Sequence, residues 1–385
     1  MDVNTQDDFS DRSDLYDFSV LSDIVVNFAV PGRPTSAEPW GNGHINDTWR
    51  VSVEGGGRQS QYILQRLNSR VFRRPDLVMQ NVARVTARLN RQEGALAAGS
   101  IRVPDLIPSR SGLSWHRDAG GGYWRLVPFI GGTVVFDRVS NVREAREVGR
   151  AFGEFQQRLA DWDAPWLDET IPGFHDTEGR FTALDLAMDE APSFLREEAE
   201  YEIAGVLAHR HLAGRIQELQ ASGALPERVA HNDAKIGNVL FDERSGRAAW
   251  IIDLDTVMPG TLLHDFGDLV RSSVSPTDED ERDLATVAVR IPLFEALADG
   301  YLRAAGDTLT DEERRHLVFA GRIITLEQAV RFLTDFLSGD QYYKTTRPGQ
   351  NLDRARTQLR LFESLTEHEA ELEGIIARLA GGASR

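Results

Sequence analysis

The chain has 385 residues, 41% of them hydrophobic and 27% charged, which suits two domains or one large bilobal one with a buried core. A formal net charge of −17, with no basic stretch to offset it, argues against a nucleic-acid or anionic-membrane partner. It leaves room for ATP, which needs only local cations. There is no cysteine, so disulfides, thiolate metal sites and cysteine nucleophiles are excluded.

Residues 1–20 carry Asp2, Asp7, Asp8, Asp11, Asp14 and Asp17 and are expected to form a solvated acidic tail, with a helix near Leu15 as the alternative and no apolar signal-peptide core. No later run reaches membrane-spanning length, and the expected location is cytoplasmic. Folded structure is expected from Leu21. The segment Trp40 to Val53 ends in strand-like alternation, and Gly55, Gly56 and Gly57 turn the chain into a second strand at Tyr62, Ile63 and Leu64. Leu77, Val78, Val82, Val85 and Leu89 recur at mostly helical spacing over 76–92, behind Pro75 at the helix entry. Strands are expected over 101–107 and 123–127. Pro128, Phe129, Ile130, Gly131 and Gly132 then read as a hinge. Beyond it the pattern is mostly helical, with amphipathic runs over 143–159, 181–220, 283–304, 311–337 and 352–379.

One stretch departs from that helical pattern. Between residues 229 and 271, the apolar runs Val239 to Phe241 and Ala249 to Ile252 flank the turn-forming Asp242 to Gly246, as in a β-hairpin. His231, Asp233, Lys235 and Asn238 precede the first run, and Asp253 and Asp255 follow the second. Single residues of these types are common in turns and caps. As a set, His231-x-Asp233-x-Lys235-x-x-Asn238 fits a kinase catalytic loop, in which an aspartate base is followed five residues later by a metal-binding asparagine. Asp253 stands where protein kinases carry a second metal ligand. Oxygen donors of this kind suit Mg²⁺, usually held by one or two carboxylates plus substrate phosphates. Sheet first, helices after and a hairpin among the helices is the order of an α+β, two-lobed protein-kinase-like fold. The expected division is a small β-rich N-lobe at 21–128 and a larger helical C-lobe at 129–385. A nucleotide would lie between the lobes, with Pro128, Phe129 and Ile130 among its contacts.

Six segments carry a resemblance: Gly43 to Trp49, Tyr62 to Asn68, His231 to Asp242, Ile251 to Gly260, His264 to Arg271, and Arg331 to Lys344. With them the chain resembles the aminoglycoside phosphotransferase and choline kinase-like superfamily, and within it looks most like the bacterial N-acetylhexosamine 1-kinases. The resemblance implies that Asp233 is the base for a sugar's anomeric hydroxyl, that Asn238 and Asp253 hold magnesium with help from Asp255, and that His44, Arg331 and Tyr342 contact the sugar. Lys235 is placed to reach the γ-phosphate. His231 reads as structural, hydrogen-bonding the loop backbone, and His264 and Asp265 as loop anchors, a role Asp268 is expected to share.

Alternatives stand beside these roles. His44 can cap a turn, Arg331 can join a salt-bridge ladder with Glu327 and Asp335 four residues either side, and Tyr342 can pack under a helix end beside Tyr343. The strand lysine that steadies ATP phosphates in protein kinases is missing; Arg66 is the expected substitute, with Gln65 a poorer one. The expected partners are ATP and a small sugar, and the chain is expected to be a monomer or weak homodimer. Competing readings are a kinase of another small hydroxyl compound (an aminoglycoside, homoserine or choline-like amine), a metal-dependent glycosyltransferase using Asp253 and Asp255, and a non-catalytic binding protein.

Overall fold

A computed structural model describes residues 16–41, 45–91, 99–162 and 166–382. The chain forms two compact units, Met1–Ala87 with Pro104–Gly131, and Arg88–Val103 with Gly132–Arg385.

In the first unit, helix α1 (Phe18–Val25) starts inside the stretch expected to be a tail. Asp17 caps it by accepting from the Val20 amide at 3.0 Å, and Leu21, Ile24 and Val25 have a sheet to bury against. That sheet comprises β1 (Arg33–Pro39), β2 (Asp47–Gly55), β3 (Arg58–Arg66), β4 (His116–Arg117) and β5 (Tyr123–Pro128), in the order β1-β2-β3-β5-β4 and antiparallel throughout. Trp49, Val51, Val53, Tyr62, Leu64, Trp124 and Leu126 alternate onto one face and pack against α1 and Phe28. β1 has no counterpart among the expected strands because Pro34 and Pro39 argue against one; it is an edge strand, where proline is tolerated. Helix α2 (Pro75–Asn90) matches the stretch expected to be helical, 76–92, to within two residues at either end. The strand expected over 101–107 reduces to a single bridge inside the second unit, Arg102 to Trp250.

The second unit opens with β6 (Thr133–Val134) and α3 (Val142–Leu159), followed by α4 (Thr177–Glu190), α5 (Ser193–Glu198), α6 (Glu200–Ala208) and α7 (Arg215–Ala221). Strand β7 (Arg228–Ala230) pairs with β10 (Met258–Gly260), enclosing the hairpin of β8 (Val239–Asp242) and β9 (Ala248–Ile251). Helices α8 (Leu262–Ser273), α9 (Ile291–Ala305), α10 (Asp311–Arg315), α11 (Leu317–Leu337), α12 (Gln350–Glu367) and α13 (Glu369–Gly382) complete it. The run expected as one helix over 311–337 is broken at His316, and the run over 352–379 at His368. Helix α11 is buried along nearly its whole length against α4, α8 and α12. Gly267 allows the close crossing with α8, since a Cβ there would meet the Ala320 carbonyl at 2.5 Å. Among the described residues no helix is long and apolar enough to cross a membrane.

Candidate active site

The expected hairpin forms, with Val239 opposite Ile251 and Leu240 opposite Trp250. Asp242 builds its turn, accepting from the Ser245 amide and hydroxyl at 2.7 Å, and Gly246 takes the positive φ of 64° that closes it. At the open end, the Ile252 amide donates to the Asn238 carbonyl at 2.9 Å. Asn238 and Asp253 therefore come to the same rim.

Residues 231–238 wrap into a loop whose polar groups face one another. Asp233 receives the Lys235 ammonium at 3.0 Å on Oδ1 and 2.8 Å on Oδ2, and the Asn238 amide at 2.8 Å. Burial alone would raise the Asp233 carboxyl, but the Lys235 charge, His231 and the Asn238 amide hold it down at about 2. Burial would likewise lower Lys235; Asp233, with Asp268 and Asp253, more than offsets it and raises the ammonium above its ordinary value. Asn238 gives Nδ2 to both the side chain and the carbonyl of Asp233, which leaves its amide oxygen as the acceptor of that side chain.

Two backbone positions beside this loop are left-handed although neither is glycine: Asn232 at φ 61° and Asp253 at φ 60°. Asn232 is held there by its Nδ2, which donates to the Ala230 and Thr256 carbonyls at 3.3 and 3.1 Å. The twist at Asp253 leaves its side chain exposed, whereas Asp255, two residues on, is only 3% exposed. The two carboxylates that the sequence sets almost side by side are thus presented differently.

The loop is anchored from α8. Asp265, fully buried, accepts the His231 amide at 2.9 Å and the Asn232 amide at 2.7 Å, with Gln156 as a third donor. Burial pushes its carboxyl up to about 7 against the pull of those donors. Asp268 does not share this anchoring as expected; it bonds Arg271 at 2.7 Å. His231 is structural, but its ring works by packing edge-on against Phe152 and Phe155, at 5.3 and 5.7 Å. Burial holds it neutral at about 4, and neither ring nitrogen has a hydrogen-bond partner.

A second polar cluster adjoins the loop and was not foreseen as a whole. His175 bridges the Asn232 carbonyl, 3.3 Å from Nε2, and the Glu327 carboxylate, 2.9 Å from Nδ1. Thr177 donates to the other Glu327 oxygen at 2.7 Å, and His264 stacks on His175 with ring centroids 4.4 Å apart. One turn beyond Glu327, Arg331 lies over the rings of Phe174 and Tyr343 at 5.5 and 5.7 Å and donates to Gln328 at 3.0 Å. The salt-bridge ladder does not form. Both Glu327 oxygens are taken by His175 and Thr177, and Asp335 accepts the amides of Tyr342 and Tyr343 at 2.8 and 2.9 Å and the Asn351 side chain. Tyr342 is 53% exposed, with its ring edge-on to Tyr343, so Tyr343 is the tyrosine that packs under the helix end. His44 lies outside the described residues. The only local signal for this cluster is a glutamate and an arginine four apart on α11, the longest described helix; Phe174, His175 and Arg180 give none.

In the first unit, Arg66 shares a face with Tyr62 and Leu64, its guanidinium over Tyr16 and Trp124 at 5.3 and 6.0 Å and 3.9 Å from Asp47. Gln65 points the other way, bonding Thr48 at 3.2 Å and accepting from Arg125 at 2.8 Å. Strand alternation thus puts Arg66, its side chain 27% exposed, on the face of Tyr62 and Leu64, and Gln65 on the other. Phe129 continues from β5, its amide donating to the Gln61 carbonyl at 3.0 Å, with Pro128 before it and Ile130 after.

An antiparallel sheet followed by helices, with an Asp–Asn loop and hairpin among them, is a protein-kinase-like α+β fold. The chain belongs to the phosphotransferase enzyme family, whose model matches residues 36–318. It is similar to a microcompartment-associated aminopropanol kinase at 15% identity and TM-score 0.55, over 93% of this chain and 99% of that one. It is also similar to a spectinomycin phosphotransferase solved with ADP and spectinomycin, at 12% identity and TM-score 0.54, over 95% and 98% of the two chains. A Plasmodium vivax ethanolamine kinase matches at 11% identity and TM-score 0.52, over 84% and 82%. At such identities the shared feature is the fold.

Proposed function

We propose that the chain transfers the γ-phosphate of ATP to the anomeric hydroxyl of an N-acetylhexosamine, N-acetylglucosamine or N-acetylgalactosamine, giving the hexosamine 1-phosphate. The observation that carries this reading is the cluster joined to the loop through His175: Arg331 between aromatic rings, with no carboxylate within ion-pair distance among the described residues. Aromatic walls with an arginine suit a hydroxyl- and amide-bearing ring. They suit the ammonium of an aminoglycoside or choline-like amine poorly, because an arginine repels it.

In this reading Asp233 accepts a hydrogen bond from the attacking hydroxyl and aims its oxygen at phosphorus. A carboxyl held near 2 is a weak base at neutral pH, so its work is orientation, with the proton taken late, as the oxygen–phosphorus bond forms. The anomeric hydroxyl of a sugar is more acidic than an ordinary alcohol, which lightens that task. Lys235, already beside Asp233, holds the carboxylate in place and offers positive charge to the transferring phosphoryl group.

Asn238 and Asp253 would hold Mg²⁺. Among the described residues no three His, Cys, Asp or Glu side chains cluster as a metal cage. The amide oxygen of Asn238 and the exposed carboxylate of Asp253 fit a hard cation whose remaining ligands are phosphate oxygens and water. When bound, the ion neutralises charge on the phosphates. Pro128, Phe129 and Ile130 would contact the nucleotide and Tyr342 the sugar.

An acceptor screen tests the reading: ATP consumption with N-acetylglucosamine, N-acetylgalactosamine, choline and kanamycin, at matched concentrations. The N-acetylhexosamines are expected to be used; preferential use of choline or kanamycin would overturn it.

A further inference from the structure

A second arginine stands beside Arg331. Arg180, on the first turn of α4, donates to the Phe174 carbonyl at 2.6 Å, while the Phe174 ring lies under the Arg331 guanidinium at 5.5 Å. Two cationic side chains from different helices therefore converge on one residue of the loop before α4. Among the described residues neither has a carboxylate within 4.0 Å; the other polar partners of Arg180 and Arg331 are the Gly173 carbonyl and Gln328, and the Arg180 Nε has none. Glu327 is close enough to act on both, but its oxygens are committed to His175 and Thr177. Burial, and then the neighbouring Arg331 charge, push the Arg180 guanidinium below its ordinary value.

Two guanidinium charges thus share the field of one charged carboxylate, Glu327, which ion-pairs with neither, and the positive charge left over is costly if their only purpose is packing. The arrangement makes sense where a ligand supplies oxygen lone pairs to both. It also sets up a repulsive element: an ammonium entering beside Phe174 and Tyr343 would meet two guanidinium groups. We propose that Arg180 is a second specificity-determining residue of the acceptor site, acting with Arg331 to admit uncharged, oxygen-rich acceptors and to turn away ammonium-bearing ones. The proposal rests on the acceptor reading above and adds the chemical class that the site refuses and the residue that refuses it.

The test compares N-acetylglucosamine with glucosamine, which share a ring and differ in amide against ammonium at one carbon. Purified full-length protein is assayed with both as wild type, Arg180→Met and Arg180→Lys, with thermal melts alongside. Wild type is expected to prefer the acetylated sugar in kcat/KM by about 100-fold or more. Arg180→Met is expected to shrink that preference about tenfold, the size of one partly screened like-charge repulsion, through the two acceptor KM values and with the KM for ATP unchanged. Arg180→Lys, which keeps the charge but not the planar fork, is expected to keep the discrimination while raising the KM for the acetylated sugar. An unchanged preference in Arg180→Met, with normal use of N-acetylglucosamine, would overturn the inference and leave the proposed function standing. Failure of that function looks different: wild type would phosphorylate neither hexosamine, and both would fall together.

Discussion

In the loop 231–238 every charge finds its partner a few residues away: Lys235 and Asn238 both close on Asp233. Around Phe174 the charges come from far apart, Arg180 from α4 and Glu327 and Arg331 from α11, and the two arginines are left without a carboxylate among the described residues. The first arrangement neutralises itself, which suits the proposed role of aiming a hydroxyl. The second keeps surplus positive charge for whatever enters. On the proposed function, local spacing sets the chemistry and tertiary packing selects what undergoes it.

The contrast can be broken at either end. The largest effect belongs to the self-neutralised loop. Asp233→Asn should lower turnover at least about 100-fold while ATP still binds, the range expected for losing a general base. Near-normal turnover, measured by coupled assay with ATP binding followed by calorimetry, would remove Asp233 from its role. Next comes the unneutralised cluster. Arg331→Ala should raise the acceptor KM by about 10- to 100-fold, the value of one charge-assisted hydrogen bond, and leave ATP affinity of the sugar-free protein largely intact. Equal loss for both ligands would make Arg331 structural.

The smallest effect concerns the anchor. The folded value for Asp265, about 7, lies above the ordinary 3.8, so between them the folded chain keeps a proton that the unfolded chain has released. Its contribution to stability therefore falls as pH rises from about 4 to about 7 and is level above that. Asp233 behaves in the opposite sense: held down at about 2, its pairing stabilises fully above the ordinary carboxylate range and is lost only as pH falls through about 2. Asp265→Asn should flatten the decline in Tm between pH 4.5 and 7.5, estimated from that window. Parallel Tm curves for variant and wild type would contradict the assignment.

The hairpin and the loop were legible in the sequence because their signals are local: two apolar runs, a turn built by Asp242 and Gly246, and polar residues at fixed offsets. Asp265 was expected to anchor a loop, but nothing near it in sequence named its partners, the amides of His231 and Asn232 more than thirty residues earlier. Which of Gln65 and Arg66 shares the core face was not legible, because a one-residue step along β3 moves a side chain to the opposite face, and only the pairing of β3 with β2 and β5 fixes which face carries the core. Arg331 stood out on its helix, but whether it joined a ladder depended on His175 and Thr177, about 150 residues earlier, taking the oxygens of Glu327. Arg180 was invisible for the same reason: nothing near it in sequence says that Phe174 will bring it to Arg331.

The most direct test of the central claim is the position of the phosphate on the product. Wild-type protein, ATP, Mg²⁺ and N-acetylglucosamine are incubated together and the product is assigned by ³¹P and ¹H NMR. Phosphate coupled to the anomeric proton is the expected result; phosphate on any other hydroxyl, or none transferred while an amine acceptor is phosphorylated, would contradict it.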